Sequence, residues 1–271
     1  MKIIDVHIHK TFSDDRMKDK GAKESGVEYS EQGLLKEMKK NNVIYGVAVQ
    51  NYAKQYDGTL ITAFDPIKEL LISKRPFVQL VAINPLIKQD VQAYENLAKS
   101  KKIRGFKIYL GYYHFYPYDE VYRPFYELAE KYGLIVMFHT GDNYSPKAKI
   151  KYSHPLNIDE VAVDFPKVKF IIAHLGEPFV YDAAEIIYKN ANVYADLSGI
   201  VTGNLKPITN FNPRKIKEAL AYCGYDKIMY GSDWPLAPMK EYIAVIKKLI
   251  PKKEHDKVFY ENAKRLFDIK D

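Results

Sequence analysis

The sequence predicts an α/β fold, a (β/α)8 TIM barrel forming a single domain over residues 1–271. Three observations carry this expectation. A length of 271 residues suits one barrel of this kind, which typically takes about 250 residues. Eight short apolar runs alternate with amphipathic stretches from one end of the chain to the other, the pattern of parallel strands joined by helical crossovers. Several of these runs end in His or Asp with a glycine close by, at the level where such barrels carry their chemistry.

Taken in order, the first run is residues 2–9, Lys2-Ile3-Ile4-Asp5-Val6-His7-Ile8-His9. Its β-branched apolar content reads as a buried strand. Strand side chains alternate, so Asp5, His7 and His9 are expected on one face and only aliphatics on the other. Two imidazoles at i and i+2 can hold one metal ion at about 2.0–2.1 Å. Residues 10–29 are polar, carry Gly21 and Gly26, and read as a loop. Strands follow at 43–50, 77–84 and 103–110, with helices at 30–41, 65–74, 87–101 and 121–132. Asp65-Pro66 has the form of an N-cap with proline at the first helical position, and Gly133 that of a C-cap. The second half continues with a strand at 134–140, a polar loop at 141–156 and strands at 168–175, 192–197 and 227–232. Helices are expected at 179–190, 213–223 (opened by Asn212-Pro213), 239–250 and 254–267.

The formal charge of +7 comes from 41 Lys+Arg against 34 Asp+Glu. The excess is spread in pairs such as Lys39-Lys40 and Lys252-Lys253, mostly at helix ends where cations suit the macrodipole. That distribution speaks against a nucleic-acid groove and is compatible with an acidic small-molecule substrate. Cys223 is the one cysteine, which excludes an intrachain disulfide. With no signal-like leader and no apolar stretch near 18 residues, neither secretion nor membrane insertion is expected. A cytoplasmic protein, free to form a homo-oligomer, is the resulting expectation.

The chemistry gathers at strand ends. The fifth strand ends Phe138-His139-Thr140-Gly141, the sixth Ala173-His174-Leu175-Gly176, and the eighth Gly231-Ser232-Asp233-Trp234-Pro235. With His7 and His9 these supply four imidazoles and a carboxylate to one barrel mouth, a donor set suited to a divalent metal. Alternation on the fourth strand turns Lys107 and Tyr109 inward and Phe106 and Ile108 toward the helices. Trp234 is expected to line the same mouth. Glu177, Asp142 and Ser198 stand near strand ends where they can touch substrate.

These stretches, with Gly105-Phe106-Lys107-Ile108-Tyr109 and the closing Glu261-Asn262-Ala263-Lys264-Arg265-Leu266-Phe267, resemble the amidohydrolase superfamily of metal-dependent barrels. The wording is similar to the branch of amidohydrolase 2 and aminocarboxymuconate-semialdehyde decarboxylase proteins. The resemblance implies that His7, His9, His139 and Asp233 bind one divalent ion, usually zinc, with His174 beside the activated water. It also implies two states for Lys107. Carboxylated, it bridges a second metal, which His174 then joins; as an ammonium, the state expected here, it pairs with Asp5 or holds a substrate carboxylate. Together with Lys107, Tyr109 and Trp234 are the expected substrate-binding residues.

A bound zinc ion lowers the pKa of water toward ~7, and Asp233 is suited to move that proton to the leaving group. The expected activity is hydrolysis of a C–N or C–O bond in a small molecule, an amide, cyclic amide or lactone. Decarboxylation of a small unsaturated acid is the alternative, which an arginine-rich pocket would favour. A nuclease reading is weaker, because that group carries a glutamate where this chain has Lys107. A non-catalytic barrel would have lost a ligand, and none is missing.

Overall fold

The computed structural model describes residues 1–10, 16–51, 65–203, 206–207 and 212–270. Among these, eight parallel strands hydrogen-bond in sequence order into one sheet. They are β1 (Ile3–Ile8), β2 (Val43–Val49), β3 (Phe77–Ile83), β4 (Gly105–Tyr109), β5 (Ile135–His139), β6 (Lys169–Ile172), β7 (Val193–Asp196) and β8 (Ile228–Met229). The sheet closes on itself beyond the short β8. Val6 N donates to Tyr230 O at 3.0 Å, Asp233 N to His7 O at 2.9 Å and His9 N to Trp234 O at 2.9 Å. The chain is therefore a (β/α)8 barrel, as its alternating pattern requires.

Helices α1 (Arg16–Ser25), α2 (Glu31–Lys40), α3 (Val91–Lys99), α4 (Arg123–Tyr132), α5 (Ile150–Ser153), α6 (Ile158–Asp164), α7 (Val180–Lys189), α8 (Pro213–Cys223), α9 (Met239–Leu249) and α10 (Asn262–Leu266) surround it. Local chemistry sets several of their ends. Asn212 Oδ1 accepts from Arg214 N and Lys215 N to open α8, and Gly133 closes α4 in the left-handed region at φ 62°, where glycine carries no Cβ penalty. None of the described helices is long and apolar enough to cross a membrane.

Two helical expectations are corrected. Residues 65–74 form a single turn rather than a helix. Asp65 Oδ1 does accept from Ile67 N and Lys68 N, so the capping chemistry is real. Pro76 then holds Arg75 out of the helical region, and one turn this short cannot repay the cost of nucleation. Conversely, the segment read as a loop at 10–29 contains α1 (its residues 11–15 lie outside the described set). The helix is mostly charged, but small residues let it dock. Ser25 Oγ donates to Leu236 O at 2.7 Å, and a Cβ on Gly21 would meet Leu236 Cδ2 at 2.3 Å.

The apolar core has two layers. One fills the space between sheet and helices, with Ile8, Phe106, Ile108, Phe138 and Phe170 among its members. The other lies inside the barrel, where Ile4, Val6, Val47, Leu80, Ile135, Met137 and Ile171 meet Ala263, Leu266 and Phe267 from α10. The last helix thus plugs the floor, and Arg104 Nη2 pins it by donating to Phe267 O at 2.7 Å. Replacing Phe267, 1% exposed, by alanine is expected to cost about 3–5 kcal/mol through lost transfer energy and a floor cavity. The check is a urea melt, which should show a lower midpoint at unchanged slope. A loss under about 1 kcal/mol would mean the floor collapses freely around the gap.

Candidate metal centre

With the floor filled by hydrocarbon, the opposite end of the barrel interior is polar, and β1 shows how the chain turns from one to the other. Strict alternation does not hold along this strand. Ile4 and Val6 point into the barrel, Ile8 points to the helices, and the pairing of β1 with β2 is irregular between Asp5 and Ile8. The expected common face of Asp5, His7 and His9 opposite an all-aliphatic one is therefore corrected. The irregularity takes His7 N out of the ladder, and Asp5 Oδ1 accepts from it at 3.1 Å and from Ser232 N at 3.0 Å. Asp5 works at the seam between β1 and the end of β8, where burial pushes its carboxyl up to about 7.

His9 Nε2 lies 2.9 Å from Asp233 Oδ1, and His7 Nε2 3.7 Å from the same oxygen. The three donor atoms all fall within 4.8 Å of one another. Asp233 occupies the left-handed region at φ 58°, a conformation that costs a non-glycine residue energy unless the surroundings hold it. The bond from Asp233 N to His7 O and one from Trp234 N to Ser232 Oγ at 3.0 Å do so.

The imidazoles continue as a chain. His174, itself at φ 62°, stacks on His7 with ring centroids 5.0 Å apart. Its Nε2 sits 3.2 Å from His139 Nδ1. Burial, together with neighbouring positive groups, holds the His139 ring well below the ordinary histidine range and His174 down at about 4. Both are neutral at neutral pH.

Behind them stand two residues of the β7 end. Asp196, fully buried, accepts from His174 N at 3.0 Å and Ser198 N at 2.9 Å and lies 3.0 Å from His7 Nδ1. Burial alone would raise its carboxyl, but His7, His174 and Ser198 together outweigh that and hold it well below the usual carboxylate range. Asp196 was not singled out by sequence reading. The signal was present in Asp196-Leu197-Ser198-Gly199, a polar strand end followed by glycine like the other three.

Two groups of side chains have the spacing for a cation: His7, His9 and Asp233, and His7, His174 and Asp196. The second is already filled by a hydroxyl. Ser198 Oγ lies 3.0 Å from His7 Nδ1 and 2.8 Å from His174 Nδ1, and donates to Asp196 Oδ1. The first suits a divalent metal, with neutral nitrogens and one carboxylate oxygen converging. Proton bookkeeping extends the fit to His139. Its Nε2 is 2.9 Å from the carbonyl of Asp142, which can only accept. His139 Nδ1 then carries a lone pair that faces His174 Nε2, a pairing of nitrogens that a nearby cation satisfies.

Lys107 is inward and fully buried, its Nζ 5.2 Å from the Tyr109 ring centroid. Tyr109 stacks at 24° near His139 and donates its hydroxyl to Gln50 O at 2.7 Å. Tyr112, whose ring lies 4.9 Å from His139, adds to this wall. Trp234 is not brought to the mouth. Its ring packs on Tyr29 at 5.5 Å among the outer core.

A family model described as amidohydrolase matches residues 4–269. Among curated proteins none matches. An uncharacterised TIM-barrel protein from Bordetella bronchiseptica superposes with TM-score 0.72 at 22% identity, covering 99% of each chain. A protein named as a probable 2-pyrone-4,6-dicarboxylic acid hydrolase from Acinetobacter baumannii, with citric acid bound, gives 0.68 at 18%, covering 99% of this chain and 100% of that one. A dihydroxybenzoic acid decarboxylase from a Polaromonas species, with manganese and the inhibitor 2-nitroresorcinol, gives 0.67 at 14%, covering 98% and 97%.

Proposed function

The chain belongs to the amidohydrolase family, and on that premise we propose that it is a hydrolase of a small acidic molecule, cleaving a C–N or C–O bond with one divalent ion. As a member of that family it is an enzyme, a metal-dependent hydrolase or decarboxylase. The observation that carries the finer reading is the convergence of His7, His9 and Asp233 within 4.8 Å, with neutral His139 and His174 beside them. His7, His9, His139 and Asp233 would hold the ion, with zinc favoured by the imidazole-rich donors. When bound, such an ion supplies a Lewis acid that makes water acidic near neutral pH and polarises a carbonyl.

The chain's own residues do the rest. Asp233 accepts a proton from water and returns it to the departing nitrogen or oxygen. His174, kept neutral by burial, orients that water or the carbonyl. Lys107 holds the substrate's acidic group from inside the barrel, against the wall made by Tyr109 and Tyr112.

Decarboxylation, the activity named for one of the similar structures, is the alternative. The described arginine side chains do not favour it. Arg104 is committed to Phe267 O at the floor, Arg123 is exposed on Glu127, Arg214 on Glu218, Arg265 on Asp226 O, and Arg75 is exposed ahead of β3. A panel of lactones, cyclic amides and planar hydroxy acids tests the choice. Ring opening with acid release supports hydrolysis, whereas release of carbon dioxide without ring opening overturns it.

Lys107 as an ammonium also argues for one ion rather than two. At ~4 Å and an effective dielectric of ~20, a pair of unit charges is worth ~4 kcal/mol, and about twice that against a divalent ion. A carboxylated Lys107 would attract a second ion where the ammonium repels it. Lys107→Gln is expected to raise KM for acidic substrates about 10–100-fold, since a charge-assisted bond contributes roughly 1.5–3 kcal/mol. Neutral analogues should change little. Equal losses on both substrate types would remove Lys107 from substrate binding.

A further inference from the structure

Asp196 and Ser198 are not donors of the proposed ion site, yet they sit directly against its donor His7 and against His174 beside it. We infer that Ser198 is a positioning residue: its hydroxyl, anchored on Asp196, fixes which ring nitrogen of His7 and of His174 carries the proton. The consequence for metal binding rests on the function proposed above; the tautomer assignment itself does not.

The argument is one of counting protons. Ser198 has a single hydroxyl proton and donates it to Asp196 Oδ1. Its oxygen can then only accept from its nitrogen neighbours, His174 Nδ1 at 2.8 Å and His7 Nδ1 at 3.0 Å. Both nitrogens must carry hydrogen. His7 Nδ1 has a further acceptor in Asp196 Oδ2 at 3.0 Å, so His7 is doubly held and His174 depends on Ser198 alone. A neutral imidazole protonated at Nδ1 has its lone pair on Nε2. That is the nitrogen His7 turns toward Asp233 and His174 toward His139. One hydroxyl therefore aims two lone pairs into the space where the proposed ion is held.

The surroundings are shaped for this contact. A Cβ on Gly199 would lie 2.5 Å from His174 Nδ1, and one on Gly231 would lie 3.1 Å from Ser198 Cβ and 3.0 Å from His7 Cβ. Only glycine lets the hydroxyl approach both rings. Ser198 is fully buried, so the substrate contact expected for it from sequence gives way to a role exerted through the histidines.

The test uses the full chain, labelled with 15N-histidine and free of metal. Long-range 1H–15N spectra, assigned with single-histidine replacements, should show Nδ1–H for His7 and His174. In Ser198→Ala, folded by circular dichroism, His174 should pass to the Nε2–H tautomer while His7 keeps Nδ1–H through Asp196. The Nε2–H of His174 then donates to His139 Nδ1, 3.2 Å away, and engages the lone pair offered to the ion, so competition with a chromophoric chelator should show Zn2+ held about 10–100-fold more weakly. Ser198→Thr, which keeps the hydroxyl, should restore both. Unchanged tautomers in Ser198→Ala would overturn the inference. So would Zn2+ affinity within about twofold of the parent, given that typical cost. A parent protein that binds no Zn2+ contradicts the proposed function instead, and the spectra still decide the role of Ser198.

Discussion

Asp233→Asn is expected to lower turnover about 10²–10⁴-fold with a much smaller change in the apparent substrate constant. The substitution isolates chemistry from architecture. Asparagine is among the few residues that tolerate the left-handed conformation, which Asp233 adopts at φ 58°, and its amide fills the same volume. The backbone bond to His7 O survives. What disappears is a carboxylate 2.9 Å from His9 Nε2 that can take up a proton and give it back. Metal content should be measured on the same sample, so that a lost ligand is separated from a lost base. Ordinary turnover in Asp233→Asn would mean that another group moves the proton.

The second large effect is on metal itself. His7→Ala with His9→Ala removes two of the three donors that converge within 4.8 Å, and stoichiometric metal should vanish. The barrel should stay folded, because the bonds that close it at this point are made by backbone atoms of His7 and His9 rather than by their rings. Stability will fall all the same. Removing His7 takes one hydrogen-bond donor from the buried Asp196 carboxylate, 3.0 Å away, which typically costs about 1.5–3 kcal/mol. His9→Ala alone avoids that cost and serves as the control. Full metal retention in a folded double variant would sink the donor set.

Much of this was legible from residue order because each level of the chain agrees with the next. Eight apolar runs spaced for crossovers leave few alternatives to a barrel, and His139, His174 and Asp233 are placed by the strands they terminate. What stayed hidden depends on non-local geometry. Period-two reading put Asp5 with His7 and His9, because an irregular register between strands leaves no mark on one strand's sequence. Asp65-Pro66 carried correct capping chemistry without the length to propagate a helix. The docking of α1 rests on Gly21 and Ser25 meeting Leu236, a contact 211 residues away in the case of Ser25. Trp234 adjoins Asp233 in sequence but packs in the outer core, and the left-handed backbone at Asp233, φ 58°, which turns the two apart leaves no mark on residue order.

The most direct test is elemental analysis of the purified full-length protein, with divalent metal counted per chain. The donor set predicts about one ion per chain, as one closed cluster of imidazoles and a carboxylate requires. Protein that carries no divalent metal, and takes up none when zinc or manganese is supplied, would contradict it.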